Sequence, residues 1–129
     1  MEWRLLAIRG ATTASENSIE AIREAVLELI EALETRNQLH PDQIVSMTFS
    51  VTPDLDAVFP AAIARERSTW NNVPLLDVQQ MYVKGSLERC IRFLAHVNFP
   101  AHDQVSHPYL RGAKTLRPDL SFAPTGISL

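Results

Sequence analysis

The chain has 129 residues, a net charge of -3 and a pI near 5.8. That is length enough for one domain with its own core, but no basic surface that would hold a nucleic acid or an anionic membrane. No apolar run is long enough to span a bilayer and Met1-Glu2-Trp3-Arg4 does not read as a leader, so the sequence points to a cytoplasmic protein. The single cysteine, Cys90, cannot close an internal disulfide and reads as a small core residue. Of the twelve basic residues only Lys84 and Lys114 are lysine, and an arginine-rich set suits carboxylate ligands because the guanidinium fork grips them in bidentate fashion.

Trp3 to Ile8 is a short apolar run ending at Arg9-Gly10, which predicts a strand leading into Ala11-Thr12-Thr13. Asn17 or Ser18 can cap the next element, in which Ile19, Ile22, Val26, Leu29, Ile30 and Leu33 mark one face of a five-turn amphipathic helix. Pro41 ends the helical run. Val45, Met47, Phe49 and Val51 then alternate with Ser46, Thr48 and Ser50, as in a strand with one buried face. After the Thr52-Pro53-Asp54 turn, Pro60 is placed to open a helix over Ala61, Ala62, Ile63 and Ala64.

Val73 to Val83 predicts another strand, interrupted in its apolar character by Asp77, Gln79 and Gln80. Gly85-Ser86 then opens a stretch in which Leu87, Cys90, Ile91 and Leu94 recur at helical spacing. In that helix Arg92 would lie about 140° from Leu87, off the apolar stripe and in solvent. Asn98 to His107 reads as a loop, Tyr109-Leu110 and Lys114 to Leu116 as short edge strands, and residues 118–129 as a mobile tail after a single domain of residues 1–117. The element order predicts an α+β fold, a mixed sheet with helices on one face.

The four histidines do not fall at metal-ligand spacings, and no phosphate-binding glycine loop or G-x-S-x-G occurs. What remains is a set of arginines at the ends of elements: Arg9, Arg65, Arg92 and Arg117. Such a set fits a small polyanion whose reaction needs charge stabilisation more than proton transfer.

The blocks Ile8 to Thr13 (I-R-G-A-T-T), Thr52 to Ala61 (T-P-D-L-D-A-V-F-P-A), Ala64 to Glu66, Gly85 to Arg92 (G-S-L-E-R-C-I-R) and Leu116 to Leu120 (L-R-P-D-L) resemble the AroH class of monofunctional chorismate mutases in order and spacing. The resemblance implies a ferredoxin-like α+β chain that forms a homotrimer around a pseudo-α/β-barrel, with active sites at the subunit interfaces. It implies conversion of chorismate to prephenate, for phenylalanine and tyrosine biosynthesis, with neither metal nor cofactor. By the same resemblance Arg92 is the transition-state cation, and Arg9 holds a substrate carboxylate with Tyr109 beside it. Phe59, Ala61, Arg65 and Leu76 line the pocket, and Leu116 and Arg117 belong to a tail that orders on ligand binding.

Three positions depart from the family pattern. Gln80 stands where a glutamate usually meets the substrate's ring hydroxyl, Asp77 where a cysteine or small residue is common, and Ala62 where a lysine is often found. One reading moves the carboxylate function from position 80 to Asp77, although residues three apart face opposite ways in a regular strand. Two other functions stay open at this level: a non-catalytic trimer that binds chorismate, and a RidA-like imine deaminase that also grips carboxylates with arginine.

Overall fold

A computed structural model describes residues 2–120. Four strands form one mixed sheet, β1 (Trp3–Thr13), β2 (Ile44–Val51), β3 (Leu75–Gln79) and β4 (Cys90–Pro100), in the order β1-β4-β2-β3. β4 runs antiparallel to both of its neighbours, and β2 pairs with β3 in parallel. Two helices, α1 (Ile19–Asn37) and α2 (Pro60–Ala64), cover one face.

Ser18 sets the start of α1: its backbone is extended and its hydroxyl accepts the Ala21 N–H at 3.1 Å. Asn17 serves the next turn instead, donating to Asp56 and accepting the main-chain N–H groups of Asp56 and Ala57. Ile22, Val26, Leu29, Ile30 and Leu33 are fully or almost fully buried against Ile8, Met47, Phe49, Phe93 and Val97. Full burial of side chains of this size contributes about 1.5–3 kcal/mol each. The helix ends at Gln38, whose left-handed backbone turns the Leu39 N–H back to the Glu34 carbonyl at 2.9 Å.

The largest departure from the sequence reading is the stretch expected to be a helix around Arg92. Cys90–Pro100 is a central strand, and Arg89, with a positive φ of 47°, turns the chain into it. Ile91, Phe93, Ala95, Val97 and Phe99 are buried on the helix side, while Arg92, Leu94, His96 and Asn98 alternate with them on the other. The helical spacing of Leu87, Cys90, Ile91 and Leu94 arose because both faces of this strand carry apolar residues. The alternation of apolar and polar residues from Ile91 to Phe99, broken by Leu94, was the stronger signal.

Other boundaries shift as well. β3 is shorter than the expected Val73 to Val83, and the expected loop begins only after Pro100. Tyr109 forms a single parallel bridge to Ala11 beside β1, and Arg111–Thr115 is a 3-10 helix where an edge strand was expected. Of the expected tail, Pro118–Leu120 forms one 3-10 turn and the remainder lies outside the described residues.

Candidate active site

The sheet register gives the face opposite the helices its chemistry. Arg92 lies opposite Ala11 on β1 and Ser50 on β2, and Arg9 lies opposite Leu94. Arg9 and Arg92 are therefore diagonal neighbours on one face of an antiparallel pair, roughly 7–8 Å apart at the backbone. The Cys90 thiol, two residues before Arg92 on that face, is within interaction range of its guanidinium; burial nevertheless raises the thiol's pKa, so it stays protonated.

Tyr109 is buried beside Ala11, Cys90 and Ala113, with Leu116 packed against the same cluster. Arg117 is held by Asp119, its Nη2 donating to the carboxylate at 2.8 Å, and lies close enough to Tyr109 for their charges to interact. Arg9, Arg92, Tyr109, Leu116 and Arg117 thus come together at one end of the β1–β4 pair.

The Gln80 N–H donates to the Val51 carbonyl at 2.8 Å, so the alternation of β3 extends one residue and places Gln80 on the face of Arg92. Two buried atoms there have no hydrogen-bond partner among the described residues, the acceptor Gln80 Oε1 and the donor Arg92 Nε. Leaving such groups unmatched costs about 1–3 kcal/mol each, a cost expected where a polar ligand will meet them.

Asp77 faces the other way. It lies opposite Phe49, a core residue, and its Oδ1 accepts the Ala61 main-chain N–H at 3.0 Å. Phe59, the residue before α2, makes no side-chain cap, so Asp77 supplies from the neighbouring strand the acceptor that the helix start lacks. Burial raises the Asp77 carboxyl above its ordinary value, opposed by the Ala61 N–H and by the charge of Arg65. Asp77, to which the sequence reading moves the carboxylate function of position 80, leaves β3 on the face opposite to Gln80, so within one chain it does not share the face of Arg92.

The remaining expected residues form a second group. Phe59 is 68% exposed, Arg65 is exposed and Ala61 is buried in the first turn of α2. A cavity of about 470 Å³ between α2 and β3 is lined by Phe59, Pro60, Asp77 and Val78 among others. Leu76, 60% exposed on edge strand β3, shares the sheet face of Arg92. Within one chain Phe59, Ala61 and Arg65 are not brought to Arg92; β2 and β3 lie between, and α2 is on the opposite side of the sheet.

One residue here gave no sequence signal. His107 accepts the Arg9 main-chain N–H on Nδ1 at 3.1 Å, beside the group of Arg9, Tyr109 and Arg117. A histidine before a proline indicates extended backbone and nothing about what its ring touches. Among the described residues no cluster of histidine, cysteine or carboxylate side chains could hold a metal, and no helix is long and apolar enough to cross a membrane.

Comparisons with known proteins identify the family. A family model described as chorismate mutase type I covers residues 5–120. The chorismate mutase AroH of Bacillus subtilis is 44% identical over 115 residues, spanning 88% of this chain and 91% of that protein. The AroH enzyme of Thermus thermophilus is 43% identical over 118 residues, 90% of this chain and 96% of its own. A solved chorismate mutase from Clostridium thermocellum superposes with a TM-score of 0.79 at 42% identity, covering 85% of this chain and 98% of the other. With its sequence matched over almost its whole length and its fold shared, the chain belongs to the AroH-class, type I chorismate mutases, isomerases that convert chorismate to prephenate.

Proposed function

We propose that this chain rearranges chorismate between two subunits of a homotrimer, with Arg92, Arg9, Tyr109 and Gln80 from one subunit facing Phe59, Ala61 and Arg65 from the next. The reaction is a one-substrate Claisen rearrangement: an ether carbon–oxygen bond breaks as a carbon–carbon bond forms, with no covalent intermediate and no proton transfer. Negative charge grows on the ether oxygen as its bond lengthens. A fixed cation at that oxygen binds the transition state better than the substrate, and this difference is what lowers the barrier.

Arg92 is assigned that role. The observation that carries it is the buried Arg92 Nε, aimed from the centre of the sheet with no partner among the described residues, on the face that also bears Arg9. Arg9 and Tyr109 take a substrate carboxylate, and Arg117 and Leu116 close that end. Gln80 accepts from the ring hydroxyl through its unpaired Oε1. Asp77 acts only through the backbone of α2, whose Phe59, Ala61 and Arg65 form the neighbour's wall together with Leu76. The arginines and walls also select the compact substrate conformer in which the two reacting carbons meet.

Assembly is supported by the uncovered sheet face. Trp3, Leu5, Leu94, Leu76 and Val78 are all exposed on it, and an apolar patch of that kind marks a protein interface. Enclosing the site between subunits also explains why Phe59 and Arg65 lie far from Arg92 in one chain.

The test is the loss of chorismate absorbance with the wild type and with Arg92→Gln, alongside light scattering to establish the trimer. Removing a donor that acts on the transition state lowers kcat by about 10²-fold or more, roughly 3 kcal/mol. A variant that raises KM and keeps its kcat would overturn the assignment.

A further inference from the structure

The outer edge of β1 is covered by residues 107–110 in an unusual way. The Ala11 N–H donates to the Pro108 carbonyl at 3.0 Å and the Leu110 N–H to the Ala11 carbonyl at 2.8 Å, as in a parallel ladder. Two residues earlier, where the ladder would offer Arg9 another carbonyl, the acceptor is the imidazole Nδ1 of His107 at 3.1 Å. The added strand is held close, because a side chain at Gly10 would run into both the Phe93 ring and the Pro108 carbonyl. Its approach is fixed from α1, where the buried Asn37 donates to the Ser106 carbonyl at 2.9 Å and accepts the Ser106 N–H at 2.7 Å.

An imidazole nitrogen accepts a hydrogen bond only while it carries no proton. We propose that His107 is a positioning residue of the rearrangement, a neutral clamp whose Nδ1 sets Arg9 and Tyr109 in register and releases them when the ring is protonated. The idea rests on the assignment of Arg9 and Tyr109 to a substrate carboxylate.

The surroundings favour the neutral ring. Among the described residues the charged groups that face it are both cations, Arg9 from β1 and Arg117 from the turn before Pro118–Leu120, with Asp119 bonded to Arg117. On the α1 side its neighbour Ser106 is held by the uncharged Asn37. Burial and the two arginines push the His107 pKa below the ordinary histidine value.

The chemistry makes the clamp measurable. The rearrangement moves no proton, and substrate carboxylates titrate near pH 4 or below. A change in KM above that range therefore reports a group on the protein. Protonated His107 would turn an N–H towards the Arg9 N–H and loosen a contact used by substrate and transition state alike, so the effect falls on KM and spares kcat.

The experiment measures kcat and KM from about pH 4.5 to 8 for wild type, His107→Gln, His107→Ala and Arg9→Ala, with the melting temperature and trimer content of each checked across the range. Glutamine keeps an acceptor that cannot be protonated. The wild-type KM is expected to rise about tenfold on the acid side, the glutamine variant to keep a low and flat KM, and the alanine variant to show a KM raised at every pH. A flat wild-type KM, the same acid rise in the glutamine variant, or a wild-type profile for the alanine variant would overturn the clamp. If Arg9→Ala leaves KM unchanged, the carboxylate assignment fails instead, independently of His107.

Discussion

Asp77 offers the sharpest separation between a residue that does chemistry and one that holds the frame. Its carboxylate accepts the N–H of the buried Ala61 at 3.0 Å, and Phe59, at the start of α2, makes no side-chain cap. Asp77→Ala orphans that amide, which costs about 1–2 kcal/mol by analogy with lost helix caps and lowers the melting temperature by roughly 4–7 °C for a chain of this size. Asp77→Asn keeps the acceptor and removes the charge.

The sign of the charge effect follows from linkage. Burial raises the folded-state pKa of Asp77 above its unfolded value, so the native state binds the extra proton between the two. Stability contributed by this group falls as pH rises through that window, and the penalty is complete above it. Asp77→Asn is therefore as stable as wild type or more so at pH 7, with the difference vanishing below about pH 4. Thermal unfolding at fixed protomer concentration, because the proposed trimer would melt in a concentration-dependent way, and chorismate turnover are measured on the same samples. An asparagine variant that keeps its stability but loses more than about tenfold in kcat/KM would refute this account and return the carboxylate to the substrate.

Other expectations are simpler. Gln80→Glu places a charged acceptor on the face of Arg92, and charge-assisted bonds are about twice as strong as neutral ones; kcat/KM for chorismate should rise about three- to tenfold, and a fall would remove Gln80 from the hydroxyl contact. Leu29→Ala, at a fully buried position of α1, should cost about 2–5 kcal/mol in urea unfolding. Gly10→Ala must displace Phe93 or the strand carrying Pro108, so the variant should lose several kcal/mol, about 3 or more, together with the Arg9 contact; a stable variant with unchanged KM would contradict that packing. Asn37→Ala removes both bonds to Ser106 and should raise KM at neutral pH more than it lowers kcat, as read from saturation curves.

Local pattern carried the sequence a long way. The face of α1, the alternation of β2 from Met47 onward and the proline start of α2 each depend on neighbours within a turn or a strand, and each is found where the sequence places it; the cap falls on Ser18, one of the two candidates, and an irregularity between Ile44 and Ser46 buries Ile44 and leaves Val45, expected on the buried face, exposed. The family was legible for the same reason: its blocks are contiguous, and Ile8 to Thr13 or Gly85 to Arg92 can be recognised without knowing where they lie.

Tertiary structure decided the rest. Cys90–Pro100 carries apolar residues on both faces, so a helical and a strand reading compete over its first turn; pairing with β1 and β2 on both sides settles it as a central strand. Whether Asp77 or Gln80 meets Arg92 depends on which face of β3 each leaves, a matter of register against Phe49 and Val51. The part played by His107 rests on a bond to Arg9, 98 residues earlier in the chain. Periodicity records which residues share a face of their own element, but which faces meet is set by pairing between distant segments, and a hydrogen bond across that distance leaves no mark in either one.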